Sequence, residues 1–264
     1  MKIAIIGAGN LGKSIAKGLI TTNAITTLYL TRRNVDSIKD FEGYKNIVLT
    51  SDNAEAVKNS DILIFAVQPA HLEKILINIK PLLHDNHVLI STITGFSISR
   101  MENIIGEDKF VIRAMPNTAI SVGKSMTCLC SNEKGKGRIK IAEAIFNRLG
   151  TSIEIPEDKM QAATVICASG IAFWMRLIRA TTQGAIQLGF EAKEAQELAM
   201  HTCYGAASLL IQSGNHPEQE IDRVTTPMGC TIEGLNEMEH QGLSSSLIKG
   251  LITSFEKINQ IKKN

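Results

Sequence analysis

Apolar runs and amphipathic segments alternate along the first 155 residues. Runs such as KIAIIG, TLYLT and DILIFAV are five to seven residues long and rich in Ile, Leu and Val, which is typical of buried strands. The segments between them, including LGKSIAKGLI and HLEKILINIKPLL, place apolar residues at helical spacing. This alternation predicts βαβ units around a parallel sheet, which SMTCLC, GRIKIAEAIFNRLG and TSIEI extend with edge strands and one more helix.

The second half of the chain has a different pattern. Between Glu157 and His216 there is no proline, and apolar residues recur at helical spacing on more than one face. We therefore predict an all-helical segment whose apolar surface a second copy covers, in a homodimer or higher homo-oligomer. Pro156 closes the last strand, so the domains are placed at residues 1–155 and 156–264. The predicted fold class is α/β, with a doubly wound parallel sheet followed by an all-α domain.

The glycines of IAIIGAGNLG predict a nucleotide site. Gly7-x-Gly9-x-x-Gly12 follows the first strand and opens a helix, with Asn10 and Leu11 inside the turn. Gly7 permits the tight turn, Gly9 lets a pyrophosphate approach the backbone, and Gly12 lets the helix pack closely on the strand. The same pattern can form a turn with no ligand, but its place between a strand and a helix favours a Rossmann-type dinucleotide site.

The end of the second strand, TLYLTRRN, indicates which dinucleotide. A site specific for NAD usually has Asp or Glu there, to bond the ribose 2′-hydroxyl. This chain has Thr31, Arg32 and Arg33 instead. Guanidinium groups beside a hydroxyl suit a 2′-phosphate, which predicts NADPH, with NADH as the weaker alternative. The other interpretation is a solvated basic turn.

The charge balance and the length of the apolar runs limit the kinds of partner that we expect. Lys and Arg number 28 against 26 Asp and Glu, a formal charge of +2, which gives no general attraction to nucleic acid or to an anionic membrane. The longest wholly apolar runs are shorter than the roughly 20 residues of a membrane span, and the N-terminus enters a strand pattern directly. We therefore expect a cytoplasmic protein that binds neither nucleic acid nor membrane.

The five cysteines are an odd number in apolar or motif contexts, which predicts buried thiols in a reducing compartment. Cys128 and Cys130 point to one face of a strand-like run, but no second Cys or His pair follows nearby to complete a zinc site. No metal is expected.

Three further stretches carry a family resemblance: DILIFAVQP at 61–69, VIRAMPNTA at 111–119 and DRVTTPMGCTIEGL at 222–235. Together with the opening glycines and SGIAF at 169–173, they resemble pyrroline-5-carboxylate reductase, in order from residue 1 to about residue 255. The resemblance implies a Rossmann domain followed by a helical dimerisation domain. It also implies reduction of a cyclic imine, 1-pyrroline-5-carboxylate, to L-proline by NAD(P)H, the final step of proline biosynthesis.

Reduction of a C=N bond needs a hydride donor, a group that serves the imine nitrogen, and a clamp for the carboxylate. Thr231 follows a Pro-Met-Gly turn at a predicted helix start, and the resemblance makes it the catalytic residue. With Gly229 and Cys230 it forms the predicted substrate loop, which the resemblance assigns to substrate binding. An isolated threonine there would be a helix cap. Ser169 and Gly170 are predicted to open another helix, whose N–H groups face the substrate carboxylate.

The resemblance also assigns residues of the first domain to the cofactor. One segment forms a wall near the nicotinamide, a second orients its ring, and Asn53 lies near the adenosine. The first two are Val67, Gln68 and Pro69, and Met115, Pro116 and Asn117. The alternatives are that Pro69 and Pro116 only end strands and that Asn53 only caps a helix, although capping and binding are compatible.

Several positions depart from the family pattern. A SGSGPA-like segment is altered at Cys167, Ala168 and Ile171, and a PGGTT-like turn at Met228 and Cys230. Gln68 stands where lysine is usual, and Ala119 where proline is usual. Two alternatives to the reductase therefore stay open: a paralogous reductase of another cyclic imine or small carbonyl compound, and a non-catalytic sensor that binds NADPH.

Overall fold

Strands and helices alternate along the first part of the chain. The computed structural model describes residues 1–21 and 25–261. Within these residues, eight strands form one sheet. They are β1 (Lys2–Ile6), β2 (Thr27–Thr31), β3 (Ile47–Thr50), β4 (Ile62–Phe65), β5 (Val88–Ser91), β6 (Phe110–Met115), β7 (Ser125–Ser131) and β8 (Gly150–Glu154).

The strand order is β3-β2-β1-β4-β5-β6-β7-β8. Neighbouring strands are parallel except β6 and β7, which are antiparallel. The predicted doubly wound sheet is confirmed, but β7 is not an edge strand as predicted, because β8 pairs with its outer side. The order reverses between β1 and β4, and sheets of this kind bind ligands outside the carboxyl ends of their strands at such a point.

Helices cover both faces of the sheet. Helices α1 (Asn10–Ile20) and α5 (Ile139–Phe146) pack on one face, and α2 (Asn53–Lys58), α3 (Pro69–Ile79) and α4 (Ile98–Ile105) pack on the other. In β1, alternate residues enter the two apolar layers. Because the central strands are buried on both faces, they read as continuous apolar runs.

The remaining helices are α6 (Met160–Ala163), α7 (Gly170–Gln187), α8 (Ala192–Ser213), α9 (Pro217–Val224), α10 (Cys230–His240) and α11 (Leu243–Ile261). The backbone between α6 and α7 is π-helical at Thr164–Ser169. Short 3₁₀ segments lie at Val35–Phe41, Lys80–Leu82, Thr118–Val122, Lys134–Arg138 and Glu157–Lys159.

The chain divides into two compact units. The sheet unit comprises Met1–Ser169 and the chain from Phe255 onward, and the helical unit comprises Gly170–Ser254. Strand β8 ends at Glu154 and the first helical turn after it begins at Glu157. The domain boundary at residues 155 and 156 stays a prediction.

Large apolar side chains of the helical unit stay exposed in the single chain. Trp174 is 58% exposed, Tyr204 65% and Ile211 82%. From Leu198 to Ser213, α8 contains no Asp, Glu, Lys or Arg. An exposed surface of this composition is typical of a region that another protein surface covers.

One helical run is long and apolar enough to cross a membrane, judged by length and composition alone. It spans Glu157–Gln187, and 22% of its most apolar 18-residue stretch is buried within the chain. Charged residues such as Arg176 and Arg179 interrupt this run, so it is not wholly apolar. Core helices of water-soluble proteins pass the same test, so the absence of a membrane partner stays a prediction.

A buried histidine holds the turn before β5. The Nε2–H group of His87 is shared between the carbonyl oxygens of Val57 at 3.2 Å and Ser60 at 2.9 Å. Its Nδ1 accepts the N–H of His84 at 3.0 Å, and the two rings stack. These bonds fit the neutral Nε2–H tautomer. Burial, reinforced by the nearby His84, lowers the pKa of His87.

The five cysteines are free and differ in depth. Cys128 and Cys130 are buried in one apolar layer of the sheet unit, on the shared face that was predicted. The expectation that all five are buried is wrong. Cys167 and Cys203 are partly exposed, and Cys230 is exposed where it begins α10. Among the described residues, no group of three or more His, Cys, Asp or Glu could hold a metal ion.

Candidate functional site

The glycine turn after β1 leaves room for a ligand. Gly7 has a φ of +99°, and a side chain there would collide with Val67. A Cβ atom at Gly9 would meet nothing within 4 Å, so the space in front of the turn is open. Within the described residues, no protein acceptor bonds the first three N–H groups of α1. Free N–H groups at a helix N-terminus favour a phosphate.

Thr31, at the end of β2, braces this turn. Its side chain is 2% exposed, and its hydroxyl donates to Asn53 Oδ1 at 2.6 Å and accepts the N–H of Gly7 at 3.3 Å. The carbonyl of Thr31 accepts the N–H of Ala8 at 2.8 Å. The hydroxyl proton is therefore used inside the protein, and the predicted bond from Thr31 to a 2′-phosphate requires that the bond to Asn53 break.

Asn53 does not cap α2. Asp52 occupies the cap position, and its side chain accepts the N–H of Ala54 at 2.8 Å. The interpretation of Asn53 as a cap is wrong because the helix begins at Asn53 itself, one residue earlier than that interpretation requires. The Asn53 side chain instead accepts the Thr31 hydroxyl and lines the cavity described next.

A cavity of about 730 Å³ opens at the carboxyl ends of β1 to β4. Arg32 lines it and donates from Nη1 to the carbonyl oxygen of Ala8 at 2.9 Å. Among the described residues, Arg32, Arg33 and Lys74 line the cavity and no Asp or Glu does. The predicted cofactor residues that line it are Gly7, Gly9, Thr31, Arg32, Arg33, Asn53, Val67 and Gln68. This excess of positive charge suits a ligand that carries several phosphates.

One wall of the cavity was not predicted from the sequence. It consists of His71, Lys74, Ile75 and Asn78 on α3. These positions have the spacing i, i+3, i+4 and i+7, so they share one helical face, while the buried residues of α3 lie on another face. The mostly polar stripe in HLEKILINI, directly after the predicted nicotinamide wall, is the signal that could have revealed it. Asn34 and Ser51, which follow β2 and β3, were also missed.

The other predicted cofactor residues lie outside the residues that line the cavity. Asn10 and Leu11 begin α1, and Gly12 is buried against the carbonyl of Gly7. Pro69 is the first residue of α3. Their roles in binding stay predictions.

The segment Met115–Asn117 connects β6 to a 3₁₀ turn. Met115 is buried, and Asn117 Oδ1 accepts the N–H of Ala119 at 3.0 Å. Asn117 Nδ2 donates to the carbonyl oxygen of Cys167 at 3.0 Å. This segment, with Pro116 between them, is therefore held in a fixed conformation, and its contact with a nicotinamide stays a prediction.

The predicted substrate loop ends in the first turn of α10. Gly229 precedes the helix, Cys230 is its first residue and Thr231 its second, so the predicted helix start is confirmed. Thr231 is exposed, and among the described residues no protein group bonds its hydroxyl. Met228 has a φ of +55° and is 97% exposed. Its backbone thus retains a conformation that favours glycine, the residue usual at this position in the pattern.

Ser169 and Gly170 do not open a helix, contrary to the prediction. Ser169 ends the π-helical stretch and Gly170 begins α7, so the helix continues through them. The reason is that this chain has Ile171 where the pattern has a proline, and Ile171 keeps the N–H group that a continuing helix needs. A carboxylate clamp made of free N–H groups is therefore absent at Ser169 and Gly170.

Comparison with known proteins shows which families and relatives the chain is similar to. Residues 157–261 match the family "Pyrroline-5-carboxylate reductase dimerisation", and residues 2–95 match "NADP oxidoreductase coenzyme F420-dependent". Pyrroline-5-carboxylate reductase 1 of Dictyostelium discoideum is 43% identical over 97% of this chain, which spans 49% of that protein. Pyrroline-5-carboxylate reductase 2 of the same organism is 40% identical, over 97% of this chain and 91% of that protein.

Solved structures give the same result. The pyrroline carboxylate reductase of Plasmodium falciparum, with NADP bound, superposes with a TM-score of 0.87 at 26% identity, over 99% of this chain and 98% of that chain. Together with the relative that is 40% identical over nearly its whole length, this confirms the resemblance carried by the sequence motifs. The chain belongs to the pyrroline-5-carboxylate reductase family.

Proposed function

We propose that this protein reduces 1-pyrroline-5-carboxylate to L-proline with NADPH. The reaction consumes one NADPH and one proton and yields proline and NADP⁺. The observation that carries the proposal is the cavity at the sheet's switch point, which is lined by Arg32, Arg33 and Lys74 and by no carboxylate among the described residues. Family membership supplies the substrate class.

The residues of the cavity fit NADPH. The open turn at Gly9 and the free N–H groups of α1 suit the pyrophosphate, and Arg32 and Arg33 suit the 2′-phosphate. NADPH supplies a hydride when it is bound. Arg32 also bonds the carbonyl of Ala8, so it orients the turn as well as contributing charge.

In the helical unit, Thr231 is proposed to serve the imine nitrogen. Its exposed hydroxyl is in the first turn of α10, beside the free N–H groups of a helix N-terminus. The hydroxyl can donate to or orient the imine nitrogen, and the N–H groups near Cys230 can bind the substrate carboxylate. The N–H groups near Cys230 would thus bind the carboxylate in place of Ser169 and Gly170, which were predicted to do so.

A homo-oligomer built through the helical unit, working in the cytoplasm, belongs to the same proposal. The match of residues 157–261 to a dimerisation family and the uncharged, exposed stretch of α8 support self-association. Five free cysteines support a reducing compartment.

Met228 favours a second candidate, a paralogous reductase of another cyclic imine. It places a flexible thioether, 97% exposed, in the predicted substrate loop at a position with a glycine-like backbone. A larger side chain there changes the shape of the space beside Thr231.

The experiment is steady-state oxidation of NADPH, followed by absorbance, with 1-pyrroline-5-carboxylate and with a panel of cyclic imines of other ring sizes. We expect kcat/KM to be highest for 1-pyrroline-5-carboxylate. A higher value for another imine would favour the paralogous reductase. Tight NADPH binding without turnover of any imine would contradict both and favour a sensor.

A further inference from the structure

Two cysteines of the sheet unit face each other. Cys128 lies on β7 and is 2% exposed, and Cys167 lies in the π-helical stretch and is partly exposed. Their Sγ atoms are 3.8 Å apart, although the residues are 39 positions apart in the sequence. We propose that Cys128 and Cys167 form a reversible disulfide when the protein meets a peroxide, and that this bond shifts Asn117.

The geometry allows the bond to close. The sulfurs of a disulfide are about 2.05 Å apart, so these two must approach by about 1.8 Å. Cys128 is held in the interior of the sheet, whereas Cys167 belongs to a π-helical turn, whose extra residue per turn gives the backbone room to adjust. Cys167 is therefore the sulfur that moves.

The two thiols differ in reactivity. The hydrogen bond from Cys128 lowers the pKa of Cys167 to about 7 and raises that of Cys128. Since the thiolate is the nucleophile, and Cys167 is also the more exposed of the two, a peroxide reaches and oxidises Cys167 first.

The chemistry balances with hydrogen peroxide as the oxidant. The Cys167 thiolate attacks one peroxide oxygen, the O–O bond breaks, and a sulfenic acid forms while the released hydroxide takes up a proton as water. The Cys128 sulfur then attacks the Cys167 sulfur. The S–OH bond breaks, the hydroxyl leaves as water with the proton of Cys128, and the disulfide remains. A dithiol reverses the bond by thiol–disulfide exchange.

The bond has a route to Asn117. The carbonyl oxygen of Cys167 accepts a hydrogen bond from Asn117 Nδ2 at 3.0 Å, and the backbone N–H of Asn117 donates to Ser125 Oγ at 3.1 Å. Ser125 lies on the same strand as Cys128. Moving Cys167 toward β7 therefore changes the support of Asn117. That this alters NADPH binding rests on the proposed function, in which Asn117 lies near the nicotinamide.

The test is oxidation of the purified full chain by hydrogen peroxide, alkylation of the remaining thiols with N-ethylmaleimide, and tryptic mass spectrometry without reductant. The linked peptides would be Ser125–Lys134 and Met160–Arg176. Because the first contains both Cys128 and Cys130, the experiment is repeated with Cys130→Ser, which leaves one cysteine in that peptide. We expect the linked pair in both proteins and its loss after treatment with dithiothreitol.

Two variants separate the steps. Cys128→Ser should remove the link and leave Cys167 as a sulfenic acid that dimedone traps, and Cys167→Ser should remove both products. Cys128→Ala is made in parallel, with thermal unfolding as the check on folding, because Cys128 is buried. A link between Cys128 and Cys130, a link between chains, or oxidised Cys167 without any link in the parent protein would overturn the disulfide.

NADPH affinity is measured by fluorescence before oxidation, after it, and after reduction. We expect about fivefold or greater weakening in the oxidised form, recovered by dithiothreitol and absent in Cys128→Ser. Equal affinity in the linked and reduced forms would overturn the effect through Asn117. Failure of the reduced protein to bind NADPH would instead count against the proposed function, and the mass-spectrometric result would be unaffected by it.

Discussion

The sheet unit and the helical unit differ in how much of their apolar surface is buried, and in how many of their polar groups are bonded, within the single chain. In the sheet unit, helices cover both faces of the sheet, and the turn at Gly7 is braced by Thr31 within the same chain. In the helical unit, large side chains such as Tyr204 and Ile211 stay exposed, and the hydroxyl of Thr231 has no protein partner among the described residues. The difference indicates that one chain suffices to build the nucleotide cavity, and it agrees with the proposal that self-association completes the helical unit.

The largest expected effect is loss of self-association when charge enters the exposed face of α8. Tyr204 and Ile211 are seven residues apart and share one helical face. Tyr204→Glu combined with Ile211→Glu should weaken self-association by about a hundredfold or more, since burial of each large side chain contributes about 1.5–3 kcal/mol. Light scattering across a concentration series measures it.

The matched control is Ile77→Glu on α3 of the sheet unit, where the parent side chain is 56% exposed. It should leave the oligomer intact. If the α8 variant and the control have the same molar mass at every concentration, the contrast between the two units is wrong.

Thr231 tests whether the helical unit serves the substrate. Thr231→Ala should lower kcat/KM for 1-pyrroline-5-carboxylate by roughly tenfold to a thousandfold, the range of one lost transition-state hydrogen bond. NADPH affinity should hardly change, and Thr231→Ser should keep most of the activity. Steady-state kinetics and NADPH titration check both. Full activity in a folded Thr231→Ala protein would show that Thr231 has no catalytic role and only forms part of the first turn of α10.

The arginines test the cavity of the sheet unit. Arg32→Ala with Arg33→Ala should raise the KM for NADPH by about tenfold or more and that for NADH much less, because only NADPH carries the 2′-phosphate. Arg33→Ala alone isolates the charge, since Arg32 also bonds the carbonyl of Ala8. Equal losses for the two cofactors would remove the phosphate assignment.

His87 makes the sheet unit sensitive to acid. Because the folded-state pKa of His87 is lowered, its stabilising neutral form is fully present above the unfolded-state pKa of about 6.5 and is lost as the pH falls through the folded pKa. In this window stability should fall with decreasing pH, by at most about 1.4 kcal/mol per pH unit from this group. Urea unfolding at fixed protein concentration, from pH 7.5 down to pH 5, should show a flatter slope for His87→Gln than for the parent. Parallel slopes would assign the acid sensitivity to other groups.

The smallest expected effect is a difference in stability between glycine substitutions at two methionines of the helical unit. Met228→Gly relieves a left-handed backbone worth about 1–2 kcal/mol, offset by about 0.5–1 kcal/mol for glycine's freedom in the unfolded chain. We expect a net stabilisation of about 0.5 kcal/mol. Met238→Gly, inside α10, should instead destabilise by about 1 kcal/mol. A destabilised Met228→Gly protein would contradict the assignment of strain to the backbone of Met228.

The sequence predicted what depends on short-range patterns. Gly7 and Gly9 lie between β1 and α1, and Gly12 lies in the first turn of α1, as expected. Arg32 and Arg33 reach the cavity because the ends of adjacent parallel strands meet at one sheet edge. The helix start at Cys230 also follows from a local Pro-Met-Gly turn.

Features that depend on tertiary contacts or subtle backbone choices were not predicted. The π-helical stretch before Gly170 replaced an expected helix start, since nothing in an apolar helical sequence distinguishes a wide turn from an ordinary one. The contact of Cys128 with Cys167 has no sequence signal, because it arises where a strand and a distant helix meet. The α3 wall was visible as a polar stripe but required knowledge of which side of α3 faces the cavity.

The hydroxyl of Thr31 has a thermodynamic consequence for ligand binding. By joining Gly7 to Asn53, it fixes the ends of two strands and the start of α2 relative to one another before any nucleotide arrives. The ordering entropy of this part of the cavity is therefore lost when the chain folds rather than when the nucleotide binds. More of the favourable contact energy then appears as affinity, and encounter is not slowed by a loop that must first organise.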